Sequence, residues 1–101
     1  MGQYTLRHFI DLAKESTEAS IGEIMKHLNK RMTLAESKFI DFALGQVDTD
    51  EGVKTMEYYL FHGTQIQRNY CALYFGRRDE YLLIRKAYDA GLIDAKQAFS
   101  R

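Results

Sequence analysis

Whatever shape this chain takes has to accommodate residues 64–90, TQIQRNYCALYFGRRDEYLLIRKAYDA, a stretch of 27 residues with no proline. At 100° per residue from Leu73, the side chains of Ile66, Tyr70, Tyr74, Tyr81, Ile84 and Tyr88 fall between about 20° and 100°. That stripe stays in phase across Gly76, so the spacing predicts one helix over 64–90, weakened but not broken at the glycine. The other side, at about 120° to 220°, carries Arg68, Arg78, Arg85 and Lys86 with Cys71, Phe75 and Leu82 among them. A helix of this length measures about 40 Å, whereas a compact domain of about 100 residues is some 30–35 Å across. The rod therefore spans or overhangs the body, unless the chain bends near Gly76 and folds its last turns back.

The remaining signals are helical too. Proline is absent from all 101 residues, hydrophobic residues make up 46%, and no alternating pattern of period two competes with the helical one. Four capping pairs mark helix starts: Ser20 with Glu23, Thr33 with Glu36, Thr64 with Gln67, and Asp94 with Gln97. Apolar spacing places the first helix over 3–15, with Leu6, Phe9, Ile10 and Ala13 inward. The second runs over 21–31, and the third over 34–44 is apolar on most of its circumference and expected to be the most buried of the early helices. Gly45 closes the third, a polar loop QVDTDEG follows, and Val53, Met56, Tyr59 and Leu60 mark a fourth helix ending at a sharp corner, Gly63-Thr64. Gly91 ends the long helix, and a short last one brings Phe99 back onto the body. The fold expected is a single all-α domain over 1–101: a compact bundle of about five helices plus a short C-terminal one, organised by the long helix.

Charge and cysteine content narrow the function. Basic and acidic residues balance at 14 each, but residues 1–63 hold 7 basic against 10 acidic and residues 64–101 hold 7 against 4, so the halves differ by about 6 charges. The lone cysteine, Cys71, excludes an intrachain disulfide and points to a reducing compartment. No apolar segment is long enough to cross a membrane and no secretory leader is recognisable, which together point to the cytoplasm.

Chemistry-bearing motifs are missing. Glu23 with His27 and Glu57 with His62 do not have di-iron spacing, HExxH is absent, and DTDEG puts Gly52 and Val53 at the wrong places for a calcium loop. No metal, no cofactor and no catalytic residue is expected, and the sequence points away from an enzyme. Two features remain. Tyr58 and His62, four residues apart beside the Gly63 corner, are the candidate walls of a pocket. The basic side of the long helix, Arg68, Cys71, Phe75, Arg77, Arg78, Leu82, Arg85 and Lys86, is the candidate partner surface; Arg77 joins it from the middle of the tyrosine stripe, where an unpaired charge is costly to bury. The function expected is a non-enzymatic interaction module that self-associates or docks a protein partner through this helix, with nucleic acid as the weaker alternative and no membrane role.

Overall fold

The computed structural model describes residues 5–99, which are all-α, with seven helices and no strand among them. They are α1 (Leu6–Glu15), α2 (Glu18–Lys26), α3 (Leu34–Leu44), α4 (Asp50–His62), α5 (Gln65–Arg77), α6 (Tyr81–Asp89) and α7 (Ala95–Phe99). The chain divides into two compact units, Met1–Thr55 and Met56–Arg101, with the boundary inside α4.

In the first unit α1 packs on both α2 and α3. The Thr5 hydroxyl caps α1 by accepting from the His8 N–H at 3.3 Å; the expected start at residue 3 lies outside the described residues. Phe9 and Ala13 are buried as their spacing requires. The helix stops at Ser16, whose φ of 58° is left-handed. Its hydroxyl is buried against that of Thr49, 2.9 Å away, and Thr49 Oγ1 lies 3.1 Å from the Ser16 carbonyl. The same Thr49 oxygen accepts from the Gly52 N–H at 2.9 Å, capping α4, and the Glu51 carboxylate accepts from the Glu18 N–H at 2.9 Å at the start of α2. One cluster thus ends α1 and starts both α2 and α4.

Helix α2 begins three residues earlier than its sequence signal. Thr17 is the cap and Ser20 the reciprocal partner, each accepting from the other's backbone N–H at 3.0 Å. Glu23, the expected partner of Ser20, instead lies exposed and bonds Lys26 at 2.9 Å; that hydrogen bond and charge hold its carboxyl below the usual range. The helix also ends at Lys26 rather than 31, because the Asn29 side chain donates to the Lys26 carbonyl and accepts from the Arg31 N–H, both at 2.8 Å. Helix α3 has the expected bounds, with Thr33 and Glu36 forming the capping box. Its expected burial does not hold: Ile40, Ala43 and Leu44 face inward, but Leu34 is 75% and Phe42 57% exposed.

In the second unit the corner at Gly63 appears as read. A Cβ there would lie 2.7 Å from the Tyr59 carbonyl oxygen and 2.8 Å from Gln67 Oε1, so glycine is the residue that fits. Thr64 and Gln67 then restart the chain with a capping box. The single rod over 64–90 does not form. It is replaced by α5 and α6, and the break falls two residues after Gly76, which is itself helical. Asp79 has φ 61°, its N–H donates to the Gly76 carbonyl at 3.1 Å, and the Glu80 N–H donates to the Phe75 carbonyl at 3.0 Å. These are the two bonds of a Schellman-type helix end, with aspartate where glycine is usual. The break lets α6 and α7 fold back so that α5, α6 and α7 all pack on one another. Gly91 ends α6 as expected, with φ 76°. The packing of Phe99 and the pairing of Asp94 with Gln97 lie outside the described side chains.

Candidate interaction surface

The break changes which face of each helix looks outward. In α5 the buried residues are Cys71, Ala72, Tyr74 and Phe75, centred at about 180° on the wheel that sets Leu73 to zero. That is the side read as basic and partner-facing, so Cys71 and Phe75, 0% and 1% exposed, are core residues and leave the candidate surface. Arg68 leaves it as well, since its Nε donates to the Leu92 carbonyl at 2.7 Å and its Nη1 to the Gly63 carbonyl at 2.8 Å. The guanidinium closes two otherwise open backbone acceptors and ties the start of α5 to the segment after α6. The tyrosine stripe of α5 is correspondingly an edge, with Ile66 and Tyr70 half-buried and Tyr74 buried.

In α6 the faces fall the other way. Ile84 and Ala87 are buried, at about 350° on the same wheel, which leaves the opposite side, near 170°, to solvent. Leu82 stands at the middle of that side and is 88% exposed. Around it are Arg85, Lys86 and Asp89, all exposed, with Arg85 Nε 3.2 Å from the Asp89 carboxylate. Exposed pairs of this kind add little to stability. Before the helix stand Arg77 and Arg78, both exposed, the Arg78 guanidinium 5.4 Å from the centre of the Tyr74 ring. Arg77, read from the middle of the tyrosine stripe, is thus exposed rather than buried. The Tyr81 hydroxyl donates to the Asp79 carboxylate at 2.6 Å and fixes the side chain at the turn. The exposed candidates that remain are Arg77 and Arg78 at the end of α5 and, on the outer side of α6, Leu82 with Arg85 and Lys86.

Tyr58 and His62 meet on α4 with ring centres 4.8 Å apart and planes tilted by 33°, and Tyr59 crosses Tyr58 edge to face at 5.4 Å. Tyr58 is 58% exposed and His62 is exposed too, so the two rings form an open stacked pair. In the first unit His8, Phe9 and His27 meet edge to face, with 6.3 Å between the two imidazoles. No group of three His, Cys, Asp or Glu among the described residues is placed to hold a metal ion. Burial pushes the Cys71 thiol above its usual range, the opposite of the shift that activates a cysteine.

The exposed pair Leu34 and Phe42 on α3 was not anticipated. Their sequence signal is weak because both sit in a helix whose apolar residues cover most of its circumference, and only tertiary packing decides which of them are left out. No helix among the described residues is long and apolar enough to cross a membrane. No family model matches this chain, and comparison with curated proteins and with solved structures found no match to either.

Proposed function

We propose that this chain is a non-enzymatic helical interaction module of the cytoplasm that docks an acidic amphipathic segment of a protein partner on the outer face of α6. The observation that carries this reading is Leu82, 88% exposed at the centre of that face with Arg85 and Lys86 beside it. A partner helix with an apolar residue facing Leu82 and carboxylates facing the cations satisfies both features at once. Full burial of one leucine contributes about 1.5–3 kcal/mol, whereas a micromolar complex needs about 8 kcal/mol, so the cations have to take a substantial share. Binding is therefore expected to weaken as salt rises.

The test compares capture from native lysate by immobilised wild type, Leu82→Glu, and the double variant Arg85→Glu with Lys86→Glu. Leu82→Glu places a like charge against an acidic partner and removes the apolar contact, so retention should fall at least tenfold with folding unchanged. A partner held equally by wild type and both variants sinks the proposal. A second copy of the chain is the other occupant this face admits, and light scattering on the purified protein separates the two: self-association through α6 gives a dimer that Leu82→Glu dissolves. Nucleic acid is kept as an alternative because Arg77, Arg78, Arg85 and Lys86 are all exposed within ten residues. Asp79 and Glu80 stand among them, Asp89 lies against Arg85, and the three dilute the field. Fluorescence anisotropy with labelled duplex and single strands decides it; no binding at about 50 mM salt removes that reading.

A further inference from the structure

The turn between α5 and α6 is made of Arg78, Asp79 and Glu80, with neither glycine nor proline. Arginine and glutamate are good helix formers and aspartate is a tolerable one. In the turn, however, Asp79 holds the left-handed conformation, which costs a non-glycine residue free energy. Glu80, the cap residue of α6, makes no side-chain cap hydrogen bond, so this helix start lacks the capping box that opens α2, α3 and α5. If residues 78–80 became helical, the N–H groups of Tyr81, Leu82 and Leu83 would find carbonyls four residues back, at Arg77, Arg78 and Asp79.

We propose that α6 and α7 exchange between two copies of this chain. The turn opens into helix, α5 and α6 join into one rod over 65–89, about 37 Å long, and each α6–α7 arm docks on α5 of the other copy. The second copy is required by geometry. In a straight rod the buried face of α5, with Cys71 and Phe75, and the buried face of α6, with Ile84 and Ala87, lie on nearly opposite sides. The arm cannot then reach its own α5, and Ile84, Ala87 and Ile93, all buried in the closed chain, need another one. Every contact the arm makes on α5 is available in the exchanged form, including the hydrogen bond from Arg68 to the Leu92 carbonyl. Closed and exchanged forms therefore differ in the hinge and in the entropy of association, the condition under which swapping is a low-cost route to dimers. The exchange goes beyond the docking proposal and does not rest on it, because it uses the side of α6 opposite Leu82.

The test is to unfold the full chain in guanidinium chloride, refold it at about 1 mM, and weigh the products by size exclusion with light scattering. Wild type should give a dimer that reverts to monomer slowly on dilution, since the arm has to undock first. Asp79→Ala removes a residue that tolerates the turn and adds a strong helix former, whereas Asp79→Gly does the reverse. About fivefold per chain is expected for the left-handed preference, and with two hinges per dimer the association constant changes by the square. Asp79→Ala should raise dimer formation about 25-fold, and Asp79→Gly should lower it by at least as much. Exchange itself is read by mixing Gly76→Cys and Ile84→Cys chains, both carrying Cys71→Ser, during refolding. In the closed chain a Cβ at position 76 lies 3.8 Å from Ile84 Cδ1, so the two positions face each other across α5 and α6, and a disulfide between two different chains reports an arm that has crossed over. Asp79→Ala remaining monomeric at 1 mM overturns the proposal. A dimer that lacks the mixed disulfide, or that Leu82→Glu dissolves, also overturns it and points to the outer face of α6 instead.

Discussion

Helices α5 and α6 end with the same pair of backbone bonds and with different residues at the critical place. At the end of α6 the Gly91 N–H donates to the Tyr88 carbonyl at 2.9 Å and the Leu92 N–H to the Ala87 carbonyl at 3.0 Å. At the end of α5 Asp79 and Glu80 make the equivalent two bonds to Gly76 and Phe75. Gly91 takes its φ of 76° without steric penalty; Asp79 takes 61° with one. A third left-handed residue, Ser16 at the end of α1, has φ 58° and offsets the same penalty differently, because its hydroxyl is fixed against Thr49. The stop is thus made by carbonyls finding N–H groups, and the residue at the stop decides only its cost. Where glycine lowers that cost the end is firm; where a neighbouring side chain offsets it the end is firm as long as that contact lasts; at Asp79 the Tyr81 hydroxyl and the packing of α6 and α7 on α5 oppose it.

The most damaging way to break this comparison is to remove the support at Ser16. Gly52 is buried against that corner, and a Cβ on it would overlap Ser16 Oγ and lie 2.6 Å from Val47 Cγ1. Both are short buried side chains with little room to yield. Gly52→Ala gains about 1 kcal/mol of helix propensity and should still cost a net ~2 kcal/mol, since two overlaps with buried side chains put the overpacking cost at the top of its usual range, about 3 kcal/mol. Urea unfolding of the full chain measures it; a variant as stable as wild type would mean that the Ser16 corner is not held by its neighbours. Gly91→Ala comes next. Nothing lies within 4 Å of a Cβ at this position, so the loss isolates the conformational penalty and should be about 1–2 kcal/mol. If Gly91→Ala is neutral, the left-handed ends cost nothing here and the contrast with Asp79 has no content.

The same contrast explains which parts of the fold could be read from the sequence. Thr33 with Glu36, Thr64 with Gln67, Gly63 and Gly91 were legible because each residue type has few other reasons to stand where it does. The end of α5 was not, because Asp79 is an ordinary helix residue by composition and Gly76, two residues earlier, offered itself as the weak point. Once that end was missed the faces of α5 were inverted: periodicity finds an apolar stripe and does not say whether it is the centre of the buried side or its edge. Cys71 and Phe75 were misplaced for that reason. Leu82 is exposed as its wheel position required, because Ile84 lies on the opposite, inward side of α6 in either reading. Ser20 misled in a smaller way, since Thr17 three residues earlier offers the same capping chemistry and wins by leaving Ser20 buried.

The smallest effect is the most informative about the comparison itself. Asp79→Gly removes the left-handed penalty at the end of α5 and gives that end the residue already present at the end of α6. Two terms oppose the gain: the Tyr81 hydroxyl loses its carboxylate partner, worth about 0.5–1.5 kcal/mol where groups are shielded and less at this exposed site, and glycine adds entropy to the unfolded chain. Against a relief of about 1 kcal/mol or slightly more, the closed monomer should be stabilised by about 0.5 kcal/mol, measured by urea unfolding at low protein concentration where exchange cannot contribute. Asp79→Gly with Tyr81→Phe separates the terms, because Tyr81→Phe alone takes away the hydroxyl while leaving the aspartate penalty in place. If the hydroxyl is what holds Asp79 left-handed, Tyr81→Phe destabilises the wild-type turn and has no effect once glycine is at 79. Equal losses in both backgrounds would show that the turn is held by its backbone bonds alone, and that α5 ends at this point whichever residue follows Arg78.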